Sequence, residues 1–454
     1  MAPPAWIILG AVPRVSELDD ADLSLALAAP PRISVLTVPP RVSPIQADPT
    51  SRACPWVLTA DPASGLLLLS APPPPPTPTP PRPATFCNGV RLAEVGYIKR
   101  QPPTYFVCDV TSATAFRLPQ PGRDPSGLPE EINALNLGVV AAPGAGGGAG
   151  RYMVVEFRYM FADQHATLLC FSSDTGEWEW KPVHNPLGRW IWGRDGVVAH
   201  DGKLWWVDLA GGLIFCDPFA DAPVLDIVPL PESDCHVSDA SCAHCAGRSM
   251  AYRRFVQVSA GKFRWVEWSS HRDDEAPMTV TMWTLNDPEA KEWVLEYKKV
   301  SFQEIWADDS YKAAGLTEKN PTFALVHPMN PDVLYFFLEE QLFGVDLRAK
   351  RVVECSVYEM VVPPSGKPPN CFSVHALELP IALSAGSLPS DVGSGSNRKE
   401  STPLASSVSQ VSVIRDLLFM LITTQIFVFH NNDDDNGFLL VLHAGESAES
   451  ADRV

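Results

Sequence analysis

The chain has 454 residues, a length sufficient for one large all-β repeat domain or two to three ordinary domains. Its hydrophobic content of 46% is normal for a globular protein. A formal net charge of −18 opposes non-specific binding to nucleic acid or to an anionic membrane, since both require a basic face. The first residues lack the basic region and the long apolar run of a signal peptide, so we expect a cytoplasmic or nuclear protein.

The chain begins with a segment, residues 1–31, that we expect to be poorly structured or to form a short helix before Pro30 and Pro31. Strand-like sequence follows over residues 32–443, and residues 444–454 read as a disordered tail. Three stretches within the strand-rich part have the composition of flexible or extended loops. They are the proline-rich residues 71–83, the glycine-rich residues 142–150 and the Ser/Gly-rich residues 384–408.

A short strand unit recurs along the chain. Residues 202–209 read GKLWWVDL and residues 261–268 read GKFRWVEW, while residues 334–346 share their apolar pattern with residues 418–430. A unit repeated at long intervals indicates a repeat architecture. The residues that we take as its signatures are Gly202, Lys203, Trp205, Trp206, Asp208, Asp217, Gly261, Lys262, Trp265 and Asp346.

Each repeat divides into four short strands, and the third strand tends to end on an acidic residue. These residues are Asp109, Asp217, Asp287 and Asp346, and an outer strand with Phe116, Val224, Trp293 or Val352 follows. Four strands with tight turns and a periodic aromatic are typical of propeller blades. The sequence therefore predicts an all-β propeller of six four-stranded blades, with residues 411–443 closing the ring against strand 33–38.

Three elements of the repeat region carry a family resemblance. They are the Gly-Lys-Leu-Trp-Trp-Val-Asp stretch, the Cys-Asp-Pro-Phe turn and the Pro-Leu-Pro-Glu ending, at residues 202–208, 216–219 and 229–232. The chain resembles DUF1618, a grass-expanded plant family without an established activity, over about residues 150–360. Its blade pattern is similar in kind to F-box-associated and kelch-type propellers, although we recognise no F-box. The resemblance implies no catalytic residues.

Metal binding has one candidate in the sequence. Cys235, His236, Cys242, His244 and Cys245 lie close together, and the Cys-x-x-Cys pair has zinc-knuckle spacing. A plain cysteine-rich loop explains the same residues, because no second Cys-x-x-Cys pair exists. We therefore predict no cofactor, with zinc as the alternative. Asp174-Thr175-Gly176 matches the aspartic-protease triplet, but that chemistry needs a second one, and a hairpin turn accounts for it.

The tryptophans are dense, and most of them are expected in the core between blades. An exposed remainder is suited to anchoring a peptide, since tryptophan is enriched in binding hot spots. With no catalytic set in view, the sequence favours a non-enzymatic interaction scaffold that binds protein partners through rim loops and is itself a monomer. The alternatives are a propeller enzyme or small-molecule binder with a site in the central channel, and a zinc- or redox-responsive module.

Overall fold

The computed structural model describes most of the chain up to residue 379. The described residues are 4–18, 22–43, 54–73, 86–87, 90–91, 102–122, 131–142, 150–232, 253–269, 277–361, 363 and 366–379. They all belong to one compact unit, formed by residues 1–236 and 249–393. The other unit, residues 237–248 and 394–454, lies outside the described residues.

Short strands begin the described chain, and five four-stranded antiparallel sheets follow, numbered here as blades 1 to 5. The first strands are β1 (Trp6–Gly10), β2 (Arg14–Val15), β3 (Ser24–Ala26) and β4 (Ile33–Val38). Blade 1 contains β5 (Trp56–Asp61), β6 (Leu66–Ala71) and, after the small hairpin of β7 (Phe86–Cys87) and β8 (Val90–Arg91), β9 (Thr104–Asp109) and β10 (Thr114–Arg117). Blade 2 contains β11 (Leu137–Ala141), β12 (Tyr152–Tyr159), β13 (His165–Ser172) and β14 (Glu177–His184).

The remaining three blades have the same order of strands. Blade 3 contains β15 (Gly196–His200), β16 (Lys203–Asp208), β17 (Gly212–Cys216) and β18 (Asp226–Pro229). Blade 4 contains β19 (Arg254–Ser259), β20 (Lys262–Ser269), β21 (Thr279–Asp287) and β22 (Glu292–Ser301). Blade 5 contains β23 (Thr322–Val326), β24 (Val333–Leu338), β25 (Gln341–Asp346) and β26 (Arg351–Val357), and the last described strand is β27 (Val374–Glu378).

Helices are few in the described part of the chain. A 3₁₀ turn, η1 (Ala134–Asn136), precedes blade 2, and α1 (Phe302–Ala307) and α2 (Asp309–Ala313) connect blades 4 and 5. Ser301 and Asp308 cap the two α-helices, because each side chain accepts a backbone N–H of the first turn. The helices bury apolar side chains in the core between these blades and so continue the packing of the sheets.

The prediction of six four-stranded blades is wrong. The described residues form five four-stranded blades, and the sheet that contains the strand at residues 33–38 is mixed rather than antiparallel. In it β1 pairs antiparallel with β27 and parallel with β4, so strands from distant parts of the chain share one sheet. Residues 1–31, predicted to be unstructured or helical, supply β1, β2 and β3 to it. Residues 411–443, predicted as the closing blade, lie outside the described residues.

Strand position within a blade decides the sequence pattern. The second strand of blade 5, β24, reads VLYFFL and is buried at every residue, because blade 4 packs on one of its faces and the mixed sheet on the other. The outer strand of blade 4, β22, reads EWVLEYKKVS and is mostly exposed. This gradient from apolar inner strands to polar outer strands is what an all-β propeller requires, since only the outer edges meet water.

The blades pack on each other through large apolar side chains. Trp206 of blade 3 is fully buried, lies against Phe157 of blade 2 and donates its indole N–H to the Asn136 carbonyl at 2.8 Å. The inner strands also meet directly. The Thr59 hydroxyl of blade 1 donates to the Val197 carbonyl of blade 3 at 2.9 Å. The innermost strands of blades 1 and 3 are therefore in contact.

Antiparallel pairing gives every blade two distinct ends. Turns from the first to the second strand and from the third to the fourth lie at one end, which we call the hairpin end. Turns from the second to the third strand lie at the other, together with the segments that join successive blades. We call this second end the linker end.

Candidate functional site

Two of the predicted repeat signatures lie in tight turns at the hairpin end. Gly202 has φ of 70° after Asp201 at 51°, and Gly261 has φ of 71° after Ala260 at 49°. Two consecutive positive φ angles define the type I′ turn that joins strands closely, and glycine adopts them without strain. The recurring Gly-Lys pair therefore marks a turn and not a binding loop.

The following lysines and tryptophans are structural as well. Lys203 lies over the Phe215 ring at 5.2 Å, and Lys262 donates to Asn286 at 2.7 Å. Trp205 stacks on Phe215 and Trp265 stacks on Trp283, with ring centroids 4.1 Å and 4.4 Å apart. With Trp206, these tryptophans are buried, as predicted for most of the group.

The acidic residues that end the third strands are caps for the next turn. The carboxylates of Asp109, Asp217, Asp287 and Asp346 each accept a backbone N–H two or three residues further on. A carboxylate that satisfies turn N–H groups favours the turn over extended chain. Of the four residues predicted to lie in outer strands, Val224 lies outside its strand, because it precedes β18. Its side chain is exposed.

The candidate metal ligands Cys235, His236, Cys242, His244 and Cys245 lie outside the described residues, so zinc binding there stays an untested alternative to the prediction of no cofactor. Within the described ranges, no group of three or more His, Cys, Asp or Glu side chains is placed to hold a metal ion. The Asp174-Thr175-Gly176 triplet forms the turn between β13 and β14, as expected, and Asp174 pairs with Arg151 at 3.0 Å.

A group of buried charged residues, missed in the sequence, lies at the linker end. Glu156 of blade 2 is almost fully buried, accepts the backbone N–H of Asn133 at 3.0 Å and pairs with Arg158 at 2.7 Å. Burial raises the pKa of the Glu156 carboxyl to about 8, and the Asn133 N–H and the charge of Arg194 oppose this only in part. Glu156 thereby ties the linker before blade 2 to its second strand.

The same kind of contact joins blades 3 and 4. Arg254 of β19 is buried, donates to the Glu267 carboxylate at 3.0 Å and donates to the Leu209 carbonyl of blade 3 at 3.1 Å. The Asp208 carboxylate accepts the N–H of Gly193 at 3.0 Å, which fixes the linker that enters blade 3. These charges hold linkers in place at sites where no strand pairing does so.

Four exposed apolar side chains lie on this framework, and we call them the rim patch. Met160 and Phe161 are 72% and 59% exposed in the β12–β13 turn, and Trp190 and Ile191 are 39% and 76% exposed in the linker from blade 2 to blade 3. The two segments are joined, because the Ala162 N–H donates to the Gly188 carbonyl at 3.0 Å. The rim patch therefore places four exposed apolar side chains on two joined segments of the surface.

Hydrogen bonds beneath the rim patch fix its backbone. The buried Asn185 side chain donates to the Asp163 carbonyl at 2.8 Å, which binds the linker to the β12–β13 turn. The Tyr159 hydroxyl accepts the Trp192 N–H at 2.9 Å and donates to the carbonyl of the same residue at 3.3 Å. A surface held from below in this way is preorganised, so a partner would order little of it on binding.

Trp190 can occupy its position because residue 211 of blade 3 is a glycine. It lies over Gly211, where a Cβ atom would come within 1.8 Å of the indole ring. The neighbouring Trp192 is buried, and its indole N–H has no hydrogen-bond partner among the described residues. The rim patch therefore presents apolar side chains to solvent.

The family comparison agrees with the sequence resemblance. Residues 206–335 match a family model described as "Protein of unknown function (DUF1618)". Residues 206–335 of the chain are therefore similar to the DUF1618 family. The matched range extends from the second strand of blade 3 into the second strand of blade 5 and includes neither segment of the rim patch. The plant and F-box-associated resemblances stay predictions.

Solved structures similar to the chain are diverse. The β-propeller domain of Cps50 (Swd1) from Myceliophteria thermophila is 8% identical, with 67% of this chain and 87% of that chain covered and a TM-score of 0.28. An α-L-arabinanase of Penicillium chrysogenum, complexed with arabinobiose, is 10% identical, with 64% and 78% covered and a TM-score of 0.30. Hydrazine synthase of Kuenenia stuttgartiensis is 11% identical, with 72% and 83% covered and a TM-score of 0.31.

None of these likenesses supports a function, and the propeller arrangement rests on the sheets themselves. No curated protein matches the sequence significantly. Among the described residues, no helix has the length and apolar character needed to cross a membrane.

Proposed function

We propose that this protein is a non-enzymatic interaction scaffold and that the rim patch is a docking site for protein partners. The observation that carries the proposal is the exposure of Met160, Phe161, Trp190 and Ile191 together on a backbone held by buried side chains. Removing apolar surface from water favours association by about 25 cal/mol per Å². A partner that covers these four side chains would gain this free energy, which is not realised while they face solvent.

The composition of the rim patch supports this function over a catalytic one. Tryptophan, methionine and phenylalanine are enriched in the buried centres of protein interfaces, and a few such residues carry most of the binding energy. Trp190 is the exposed tryptophan that a peptide anchor requires, while Trp205, Trp206 and Trp265 are enclosed in the core.

The central-channel alternative has less support. A channel site for a small molecule needs convergent polar groups in an open cavity. Here the inner strands of blades 1 and 3 are joined by the bond from Thr59 to Val197, and the inner strand of blade 2 is close to both through Gly138 and Val197. A Cβ atom at Gly138 would lie 2.5 Å from the Val197 side chain.

The test is affinity purification from an extract of the cells that produce the protein, compared with one variant and one control. Met160→Ser with Ile191→Ser removes two exposed side chains of the rim patch. Val224→Ser with Val357→Ser removes two exposed valines elsewhere. We expect partners of the wild type to be lost from the rim variant and kept by the control. The proposal fails if both variants retain the same partners, provided that their unfolding curves match the wild type.

A further inference from the structure

The segment that carries Trp190 and Ile191 also carries exposed arginines on both sides. It reads Gly188-Arg189-Trp190-Ile191-Trp192-Gly193-Arg194, and both Arg189 and Arg194 are exposed. Two basic side chains beside the rim patch contrast with a chain whose net charge is −18. From this contrast we infer that the rim patch binds a peptide segment in which an apolar anchor is flanked by Asp or Glu. The inference rests on the proposed function and specifies its partner.

Asp163 and Asp195 lie in the two segments of the rim patch or beside them, and neither forms an ion pair with Arg189 or Arg194 in the described part of the chain. Asp163 is engaged by the backbone N–H of His165 at 2.9 Å, and its carboxylate lies 3.3 Å from the His165 ring. Asp195 accepts the Leu209 N–H at 2.8 Å. Within the described part of the chain, Arg189 forms no ion pair.

Burial raises the pKa of both enclosed acids and so disfavours their charged form. It raises the pKa of Asp195, where the Leu209 N–H opposes the change and the Asp208 carboxylate adds to it. It also raises the pKa of Glu156, the acid that lies near Arg194, to about 8. The exposed guanidinium groups of Arg189 and Arg194 are therefore opposed less by these two acids than by ordinary carboxylates.

Arginine and an exposed tryptophan together favour one kind of ligand. A guanidinium binds a carboxylate with two parallel hydrogen bonds, and the apolar side chains accept an anchor between these charges. Nucleic acid and anionic lipid are weaker candidates, because both need a broad basic face rather than two arginines on an acidic protein.

The test is selection of peptides from a displayed random library on the intact protein, with three variants in parallel. Arg189→Glu with Arg194→Glu reverses the flanking charges. Arg32→Glu with Arg117→Glu makes the same change in net charge at exposed arginines elsewhere. Met160→Ser with Ile191→Ser removes apolar anchoring. We expect the wild type and the charge control to select peptides with Asp or Glu beside an apolar residue.

The charge-reversed variant is expected to bind those peptides roughly tenfold more weakly at low salt and to select Lys or Arg at the flanking positions. The inference is overturned if the selected peptides lack acidic flanks, or if charge reversal leaves the acidic preference unchanged. The proposed docking site still stands in either case if the Met160→Ser, Ile191→Ser variant no longer binds the selected peptides. Peptides that bind this variant as well overturn the proposed function too. Binding of RNA or of phosphatidylserine vesicles that depends on Arg189 and Arg194, with no peptide selected, also overturns the inference.

Discussion

The two ends of the blades are built by different means. At the hairpin end, turns are short and repeat the same devices, such as the consecutive positive φ angles at Asp201 and Gly202 and the carboxylate cap at Asp109. At the linker end, the segments differ from blade to blade and are held by buried polar side chains such as Arg254 and Glu156. The first end repeats its turn devices, and the second carries the rim patch.

This contrast separates the residues that specify strand pairing from those that we propose bind a partner. A type I′ turn specifies strand pairing within a few residues and leaves no apolar group in water. A linker that must present Trp190 to solvent is not held by pairing, so it needs side-chain anchors such as Asn185. Changes at the two ends should accordingly have different consequences.

The largest effect on stability is expected at the linker end from Arg254→Met. The substitution leaves the buried Glu267 carboxylate without the Arg254 guanidinium and removes the bond to the Leu209 carbonyl. Breaking one side of a buried ion pair costs about 3–5 kcal/mol. Urea unfolding measures the loss. The double variant with Glu267→Met should recover part of it, and an equal or larger loss there would show that the pair does not act as a unit.

Gly211→Ala should affect binding more than stability. The added Cβ atom would overlap the Trp190 ring, which is partly exposed and so is free to move away. Displacing an interface tryptophan typically weakens binding by roughly tenfold or more. Titration of a peptide selected on the wild type measures this change. Gly122→Ala is a suitable control, because a Cβ atom there meets nothing within 4 Å.

Gly202→Val at the hairpin end should affect stability more than binding. Gly202 has φ of 70°, a conformation that costs a non-glycine residue about 1–2 kcal/mol. We expect that loss in the free energy of unfolding, with unchanged affinity for the selected peptide. Weakened peptide binding in the folded variant would contradict the separation of the two ends.

How much the sequence revealed also differs between the ends. Turn chemistry is local, so Gly202, Gly261 and the acidic caps were recognised as parts of a repeat before their geometry was known. The blade count was wrong because the mixed sheet pairs Ile8 with Ala376, and no local pattern specifies such distant pairing. The sequence predicted that some tryptophan would be exposed, but identifying Trp190 required the contact with Gly211, a residue of the next blade.

The smallest expected effect is a pH dependence at the linker end. Burial raises the pKa of Glu156 from 4.5 to about 8, so the folded protein favours the protonated carboxyl. Its contribution to stability is full below about pH 4.5 and is lost as the pH rises through about 8. Glu156→Gln keeps an acceptor for the Asn133 N–H without this titration. Between about pH 5 and about pH 8, the wild type should therefore lose about 1 kcal/mol or more relative to the variant.

Urea unfolding of both proteins at the two pH values isolates Glu156, because the other titrating groups contribute equally to each. An unchanged difference would mean that Arg158, 2.7 Å away, keeps the carboxyl ionised throughout and that the pair behaves as a salt bridge. In that case the linker end would be held by opposite charges at Glu156, as it is at Arg254. In the expected result, a neutral Glu156 carboxyl holds the linker before blade 2 by accepting the Asn133 N–H. Raising the pH then weakens the support of this linker and leaves the hairpin end unaffected.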